Sequence, residues 1–315
     1  MRIARYEVAG VDQLGAVRDG EILPLPERVG VLDLLAMSPT EREDLELGQP
    51  VAMSEARLLS PVEPVTIRDF VTFEEHVEGA VKAVVGGGGE VTPEWYEIPT
   101  FYFTNPHAIT GPFDDIPVPP GCGLFDFELE VAAVIGGPGR DLTPEEAEDR
   151  IAGYTIFNDW SARDLQGHEM RIGLGPAKGK DTANTLGPWI VTADELEPYR
   201  RDGRLHLEMT VSVNGEKIGD DTLANMAWSF EELAAYASRG TWVCPGDVLG
   251  SGTCGRGCLA ELWGRAGRRE PPPLKVGDVV TMAVEGIGEI SNRVVEGTEP
   301  VAVPRARPAG YRRKR

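Results

Sequence analysis

Period-two alternation of apolar and polar residues is the main signal along this chain, and it predicts strands that bury one face. Leu205 to Val213 alternates strictly, with Leu205, Leu207, Met209, Val211 and Val213 on one face and His206, Glu208, Thr210 and Ser212 on the other. Asn214-Gly215 closes that segment as a hairpin, because both residues tolerate positive φ. His206 reads as a solvated strand residue. Near the start, Leu14 to Arg18 and Glu21 to Leu25 flank Asp19-Gly20 as a second hairpin, and a short helix is predicted near Val31 to Met37. Pro61 and Pro64 in SPVEPVTI mark the passage from this small unit, residues 1–60, into a main domain over 61–304. Two segments there are apolar more continuously. Leu124 to Ile135 predicts a largely buried strand, and Tyr154 to Asp159 predicts a strand that passes into a helix. The segments CPGDVLGSG and KVGDVVTMAVEG echo each other as turn-plus-strand units.

Composition sharpens this picture. With 38 Gly and 25 Pro in 315 residues, turns abound, so the fold class is α+β and β-rich rather than a helical bundle. Four consecutive glycines, Gly86 to Gly89, predict a mobile loop. The 31 Lys plus Arg against 51 Asp plus Glu give a net charge of −20, which repels a phosphate backbone and argues against nucleic acid as a partner. Six basic residues crowd into Arg305 to Arg315, predicting a basic, disordered tail. No apolar run approaches the ~20 residues of a membrane span, so no membrane role is expected. Cys122, Cys244, Cys254 and Cys258 are too few for a disulfide scaffold and form no CxxC pair, and MRIARYEVAG has no signal-peptide core. Free thiols in the cytoplasm are the expectation.

Candidate chemistry starts with Glu128 and Glu130, two apart on one strand face, with Asp126 sharing their parity. Adjacent buried carboxylates repel unless a cation neutralises them, so a divalent metal is one reading and an acidic face meeting water the other. Asp159 stands at a strand end, where active sites often gather side chains; its plainer role is a helix N-cap. Arg163 and Gln166, three apart, either face a bound anion or form an exposed pair. Gly175 to Asp181 is a turn presenting Lys180, but Leu174 and Asp181 break the Walker pattern. Gly250-Ser-Gly252-Thr-Cys-Gly255 matches G-x-G-x-x-G without room for a βαβ unit. His76 and Glu261, taken singly, leave structural and catalytic roles open.

In this order, FELE, NDWSARDLQ, GPAKGK, NGE and a GSGT turn resemble the fumarylacetoacetate hydrolase family over about Pro61 to Gly297. The resemblance implies a mixed β-roll, a homodimer, and one Mg2+ (or Mn2+ or Ca2+) held by carboxylates. By position, the metal ligands fall on Glu128, Glu130 and Asp159. A further Asp ligand seven residues before a catalytic His falls on Asp69 and His76. The partner of that His, a Glu shortly after the GSGT turn, falls on Glu261 of Ala-Glu261-Leu-Trp263. Arg163, Gln166 and Lys180 match oxyanion and substrate contacts, and Thr253 a contact to the substrate carboxylate. Two departures stand out. The acylpyruvase branch carries Glu three residues after its His, where this chain has Gly79, and the substrate-contacting tyrosines have no sure counterparts in FYFTNPH, Phe101 to His107.

The implied activity is hydrolysis of a C–C bond in a 1,3-dicarbonyl acid, fumarylacetoacetate- or acylpyruvate-like, by a His–Glu-activated water and a metal-stabilised enolate. The alternative on the same fold is an isomerase, hydratase or decarboxylase of 2-oxo acids, as in 2-hydroxyhepta-2,4-diene-1,7-dioate isomerase.

Overall fold

A computed structural model describes residues 1–84 and 91–307, so Gly86 to Gly89 and the tail from residue 308 lie outside the described residues. The amino-terminal elements are β1 (Arg2–Val8), β2 (Val11–Arg18), β3 (Glu21–Pro24) and α1 (Val31–Ala36). Next come β4 (Ile67–Phe70), α2 (Glu74–Val84), β5 (Phe101–Thr104), β6 (Phe125–Asp126), β7 (Leu129–Ile135), β8 (Ile151–Asp159), α3 (Arg163–Glu169) and β9 (Asn184–Thr192). The last are β10 (Glu208–Val213), β11 (Glu216–Thr222), β12 (Val248–Gly250), α4 (Leu259–Ala266), β13 (Val279–Val284) and β14 (Gly288–Val295).

Among the described residues the largest sheet has twelve strands, and its main path runs Val51–Ala52, β3, β2, β1, β9, β8, β7, β12, β4, β5. Along it every pair is antiparallel except β12 with β4. The strands of residues 1–60 join this sheet through β1, whose Ile3 pairs with Ile190 of β9. A second, five-stranded sheet runs β11, β10, β13, β14 and Ile116–Pro117.

The continuous apolar segments became the central strands. Every residue of β7 and β8 is buried, because each strand has packing on both faces. Leu129, Val131, Ala133 and Ile135 pack with Met209, Val211, Val280 and Met282 of the second sheet. Ala132 and Val134 pack instead with Ile3, Leu34, Leu35 and Ile190. Each fully buried side chain of this size contributes about 1.5–3 kcal/mol, so the middle of the large sheet is its most strongly held part. The alternating segment Leu205 to Val213 is not one strand: Leu205 ends the short strand Arg204–Leu205, His206 and Leu207 lie between strands with His206 half-buried rather than a solvated strand residue, and β10 begins at Glu208. Within β10 only Met209 and Val211 are buried, as in a one-faced strand. Both predicted hairpins form, with positive φ at Asp19 and Gly20 (50° and 81°) and at Asn214 and Gly215 (54° and 81°). The two echoing segments share a turn in which Asp247 and Asp278 each accept from the backbone N–H three residues earlier, at 3.0 and 2.9 Å.

The most continuous apolar segment also departs from expectation. Leu124 to Ile135 is not a single strand but breaks at Phe127-Glu128, with β6 pairing to Ser161–Ala162 and β7 to β8. The break takes Asp126 out of the alternation it shares in sequence with Glu128 and Glu130.

Candidate active site

Neighbouring strands of the large sheet bring four acids into one row. Asp69 of β4 lies beside Gly250 of β12, Gly250 beside Ala132 of β7, and Glu130 opposite Phe157, two residues before Asp159 ends β8. Carboxylate oxygens of Asp69, Glu128, Glu130 and Asp159 fall within 4.8 Å of one another, and all four residues are buried. Gly250 keeps the gap between them open: a Cβ there would stand 2.5 Å from Asp69 Oδ1 and 3.0 Å from Glu130 Oε2.

Asp69 Oδ1, Glu130 Oε1 and Asp159 Oδ1 are buried with no hydrogen-bond partner. An unpaired buried acceptor costs roughly 1–3 kcal/mol, and more when charged. Two cations answer part of this demand. Lys180 Nζ lies 2.6 Å from Asp159 Oδ2 and also pairs with Glu128, and Arg163 Nη2 lies 2.7 Å from Glu128 Oε1. Burial raises the carboxyl of Glu128, but Lys180 and Arg163 outweigh it and hold that group below its ordinary range. Glu130 has no such partner, so burial and then Asp69 and Glu128 push it well up. Burial pushes Asp69 up to about 6 despite Lys180, and Asp159 rises well above its ordinary value. Unpaired oxygens, an open gap and an all-carboxylate donor set fit a hard divalent ion.

Helices α2 and α4 carry the second group. His76 Nδ1 lies 3.5 Å from Glu261 Oε2 and 3.7 Å from Cys258 Sγ. His76, Cys258 and Glu128 each present an atom within 4.8 Å of the others, so the His–Glu pair abuts the acidic row. Glu261 is fully buried; its Oε2 accepts from Arg256 N at 2.7 Å and its Oε1 from Arg265 Nε at 2.8 Å. Arg265 also donates to Glu75 O at 2.7 Å, tying α4 to α2.

The other sequence candidates surround these groups. Arg163 Nη1 donates to Gln166 Oε1 at 3.1 Å, so these two do share a helical face, directed at the site. Asp159 is not the cap of α3, whose N-cap position is Ala162. Thr253 is buried in the turn whose Gly252 N–H donates to Glu130 Oε2 at 3.0 Å. Sequence reasoning missed Tyr102, which pairs in register with Asp69, donates its hydroxyl to Asp159 Oδ2 and sets its ring 6.0 Å from Lys180 Nζ. In FYFTNPH a strand tyrosine carries no signal distinguishing it from a core aromatic.

The profile of the fumarylacetoacetate (FAA) hydrolase C-terminal domain matches residues 66–295, a span that holds the whole acidic row and the His–Glu pair. The chain belongs to the fumarylacetoacetate hydrolase family. It is 33% identical over 282 residues to the mitochondrial oxaloacetate tautomerase FAHD2A of Bos taurus, covering 84% of each chain. Fumarylacetoacetate hydrolase from psychrophilic Exiguobacterium antarcticum is 27% identical, with a TM-score of 0.72 over 94% of this chain and 99% of that one. The 5-carboxymethyl-2-hydroxymuconate delta-isomerase from Mycobacterium smegmatis is 26% identical, with a TM-score of 0.69 over 94% of this chain and all of that one. The family is therefore one of enzymes, and hydrolases, isomerases and tautomerases share its α+β fold. The bovine relative is named as mitochondrial; among the described residues here, no helix is long and apolar enough to cross a membrane.

The departure at Gly79 from the family's acylpyruvase branch has a physical reason. A Cβ at Gly79 would fall inside contact distance of Glu261 Cγ and within 3.3 Å of its Cβ and Cδ. Glu261 thus occupies the space that a side chain at position 79 would need.

Proposed function

We propose that this family member is a metal-dependent hydrolase cleaving a C–C bond in a fumarylacetoacetate- or acylpyruvate-like acid. The observation that carries this reading is the His76–Glu261 pair set against the acidic row. Asp69, Glu128, Glu130 and Asp159 would hold Mg2+, which when bound supplies Lewis acidity and a chelation point for the substrate's carboxylate and carbonyl oxygens.

Glu261 orients His76 through Nδ1, leaving Nε2 to accept a proton from water. The water oxygen attacks the distal carbonyl. Burial lowers the Lys180 ammonium, but Asp159 and Glu128 overcome this and keep it protonated, so it donates to the developing oxyanion rather than acting as a base. Arg163, braced on Gln166, donates beside it, and Thr253 contacts the substrate carboxylate. The C–C bond breaks, its electron pair passes to the departing oxo acid as an enolate, and the proton held by His76 returns to that carbon. Water is thereby divided between the two products. The family resemblance supports a homodimer, and the unpaired Cys122, Cys244, Cys254 and Cys258 fit a reducing cytoplasm.

A second reading, favoured by the tautomerase and isomerase relatives, is isomerisation or decarboxylation of a 2-oxo acid through an enolate, without attack by water and without need of the His76–Glu261 pair. A panel of acetylpyruvate, fumarylacetoacetate, oxaloacetate and an unsaturated dioic oxo acid, run with Mg2+, separates the two. Hydrolysis abolished by His76→Ala and by Glu261→Gln, with metal binding retained, supports the hydrolase. Isomerisation at full rate in both variants would sink it.

A further inference from the structure

Asp126 shares the parity of Glu128 and Glu130 along the chain yet stands outside the acidic row, fully buried and without a part in the reaction above. Its two oxygens are saturated by donors from three directions. Oδ1 accepts from Phe127 N and Leu259 N, both at 2.8 Å, and Oδ2 accepts from Ala260 N at 2.9 Å and Arg163 Nε at 2.7 Å. Leu259 and Ala260 open α4, and the next residue is Glu261, which faces His76. The capping side chain of α4 is the Cys258 thiol, a weak acceptor 3.4 Å from Glu261 N, so the anion at this helix start is Asp126.

The same carboxylate holds the Nε edge of Arg163. With that edge taken, the rigid guanidinium fork directs Nη1 to Gln166 and Nη2 to Glu128. We propose that Asp126 is a positioning residue that sets two parts of the site in one frame: Glu261, through the first turn of α4, and the Arg163 guanidinium, through Nε. The inference rests on the roles given above to Arg163 and Glu261. An asparagine at 126 has one oxygen where two are used, and whichever way its amide turns, an N–H meets either Arg163 Nε or the α4 amides.

The probe is oxalate, a small dianion that mimics a chelating 2-oxo acid and is not turned over, so the reaction class does not enter. Its affinity for the Mg2+-loaded protein is measured by calorimetry, and exchange at the Leu259 and Ala260 amides by NMR. We expect Asp126→Asn to weaken oxalate about tenfold, in line with a lost charge-assisted hydrogen bond. Arg163→Met should weaken it at least as much, and the double variant no more than Arg163→Met alone. In Asp126→Asn the two amides should exchange at least about tenfold faster, while in Arg163→Met they stay protected. Thermal stabilisation by Mg2+ should persist in each, marking an intact acidic row. If Asp126→Asn does not fold, Arg163→Lys carries the test, because it keeps the charge and removes the planar fork that Asp126 aligns: oxalate should weaken about tenfold with the α4 amides still protected. Wild-type oxalate affinity in Asp126→Asn or Arg163→Lys, or additive losses in the double variant, overturns the inference and leaves the proposed function standing. Wild-type affinity in Arg163→Met instead removes Arg163 from the proposed function, and the inference falls with it.

Discussion

Replacing Gly79 by alanine should separate stability from activity. Gly79 lies inside α2, where alanine is favoured over glycine by about 1 kcal/mol. Against that, the added methyl would lie within 3.0 Å of Glu261 Cγ, and overpacking of this kind costs about 1–3 kcal/mol. The net change in stability is therefore about 0–2 kcal/mol, a fall in Tm of no more than about 4 °C at roughly 2 °C per kcal/mol for a chain of this size. Activity responds differently. Glu261 is fully buried, so it makes room only by moving its carboxylate off Arg256 N and away from His76 Nδ1. Loss of an oriented general base lowers turnover by about 10²–10⁴-fold. The assay is kcat/KM on whichever acid of the panel is turned over, beside a melting curve for each variant. In a Glu261→Ala background, itself inactive and destabilised by the loss of its buried hydrogen bonds, Gly79→Ala should cost no further stability, because the side chain it would crowd is gone. A Gly79→Ala enzyme within about threefold of wild-type kcat/KM would refute the reasoning, since Glu261 could then be displaced without consequence.

Two further outcomes follow from the acidic row. Mg2+ at a hundred times its dissociation constant should stabilise the protein by about 2.7 kcal/mol, or about 5 °C in Tm, and EDTA should remove the gain. Gly250→Ala should abolish that shift, because its methyl would fill the gap beside Asp69 Oδ1 and Glu130 Oε2; a full Mg2+ shift in this variant would place the ion elsewhere. The second concerns pH. Burial pushes Asp69 up to about 6, so in EDTA the native state holds more protons than the unfolded chain between about pH 4 and 6, and stability falls as pH rises through that window. Glu130 and Asp159, also raised, extend the decline upward, whereas Glu128, held down, contributes stability that is lost as pH falls. Asp69→Asn should therefore gain on wild type in EDTA as pH rises from about 4 to 6, read from denaturant melts, and saturating Mg2+ should reverse the order. A difference that ignores both pH and metal would show that Asp69 is not part of the row.

The acidic row also explains why the site lies in the most strongly held part of the fold. Lys180 and Arg163 neutralise at most two of four carboxylates, and Arg163 is shared with Asp126. Mutually repelling groups at such distances stay together only where the backbone cannot yield, and β7 and β8, buried on both faces, provide that rigidity.

Much of this was legible along the chain because it is local. Alternation predicted Met209 and Val211 inside and positive-φ residues predicted both hairpins, while Glu128 and Glu130, two apart, bring their oxygens together although Glu128 stands at the break before β7. The order of short motifs was enough for the family and for the identity of candidate acids, His76 and Lys180. What local spacing does not carry is the pairing of distant strands and the breaks within them. Asp126 has the right parity but is diverted to α4 by a break at Phe127-Glu128, whereas Asp69 reaches the row through parallel pairing with Gly250, 181 residues further along the chain. Tyr102 enters only because β5 pairs with β4, and Gly79 and Gly250 acquire meaning only from the side chains that crowd them. The sequence alone therefore determined which chemistry was on offer; tertiary structure decided which groups share a cavity, because that depends on strand register and helix packing, set by the burial of the whole core rather than by neighbours along the chain.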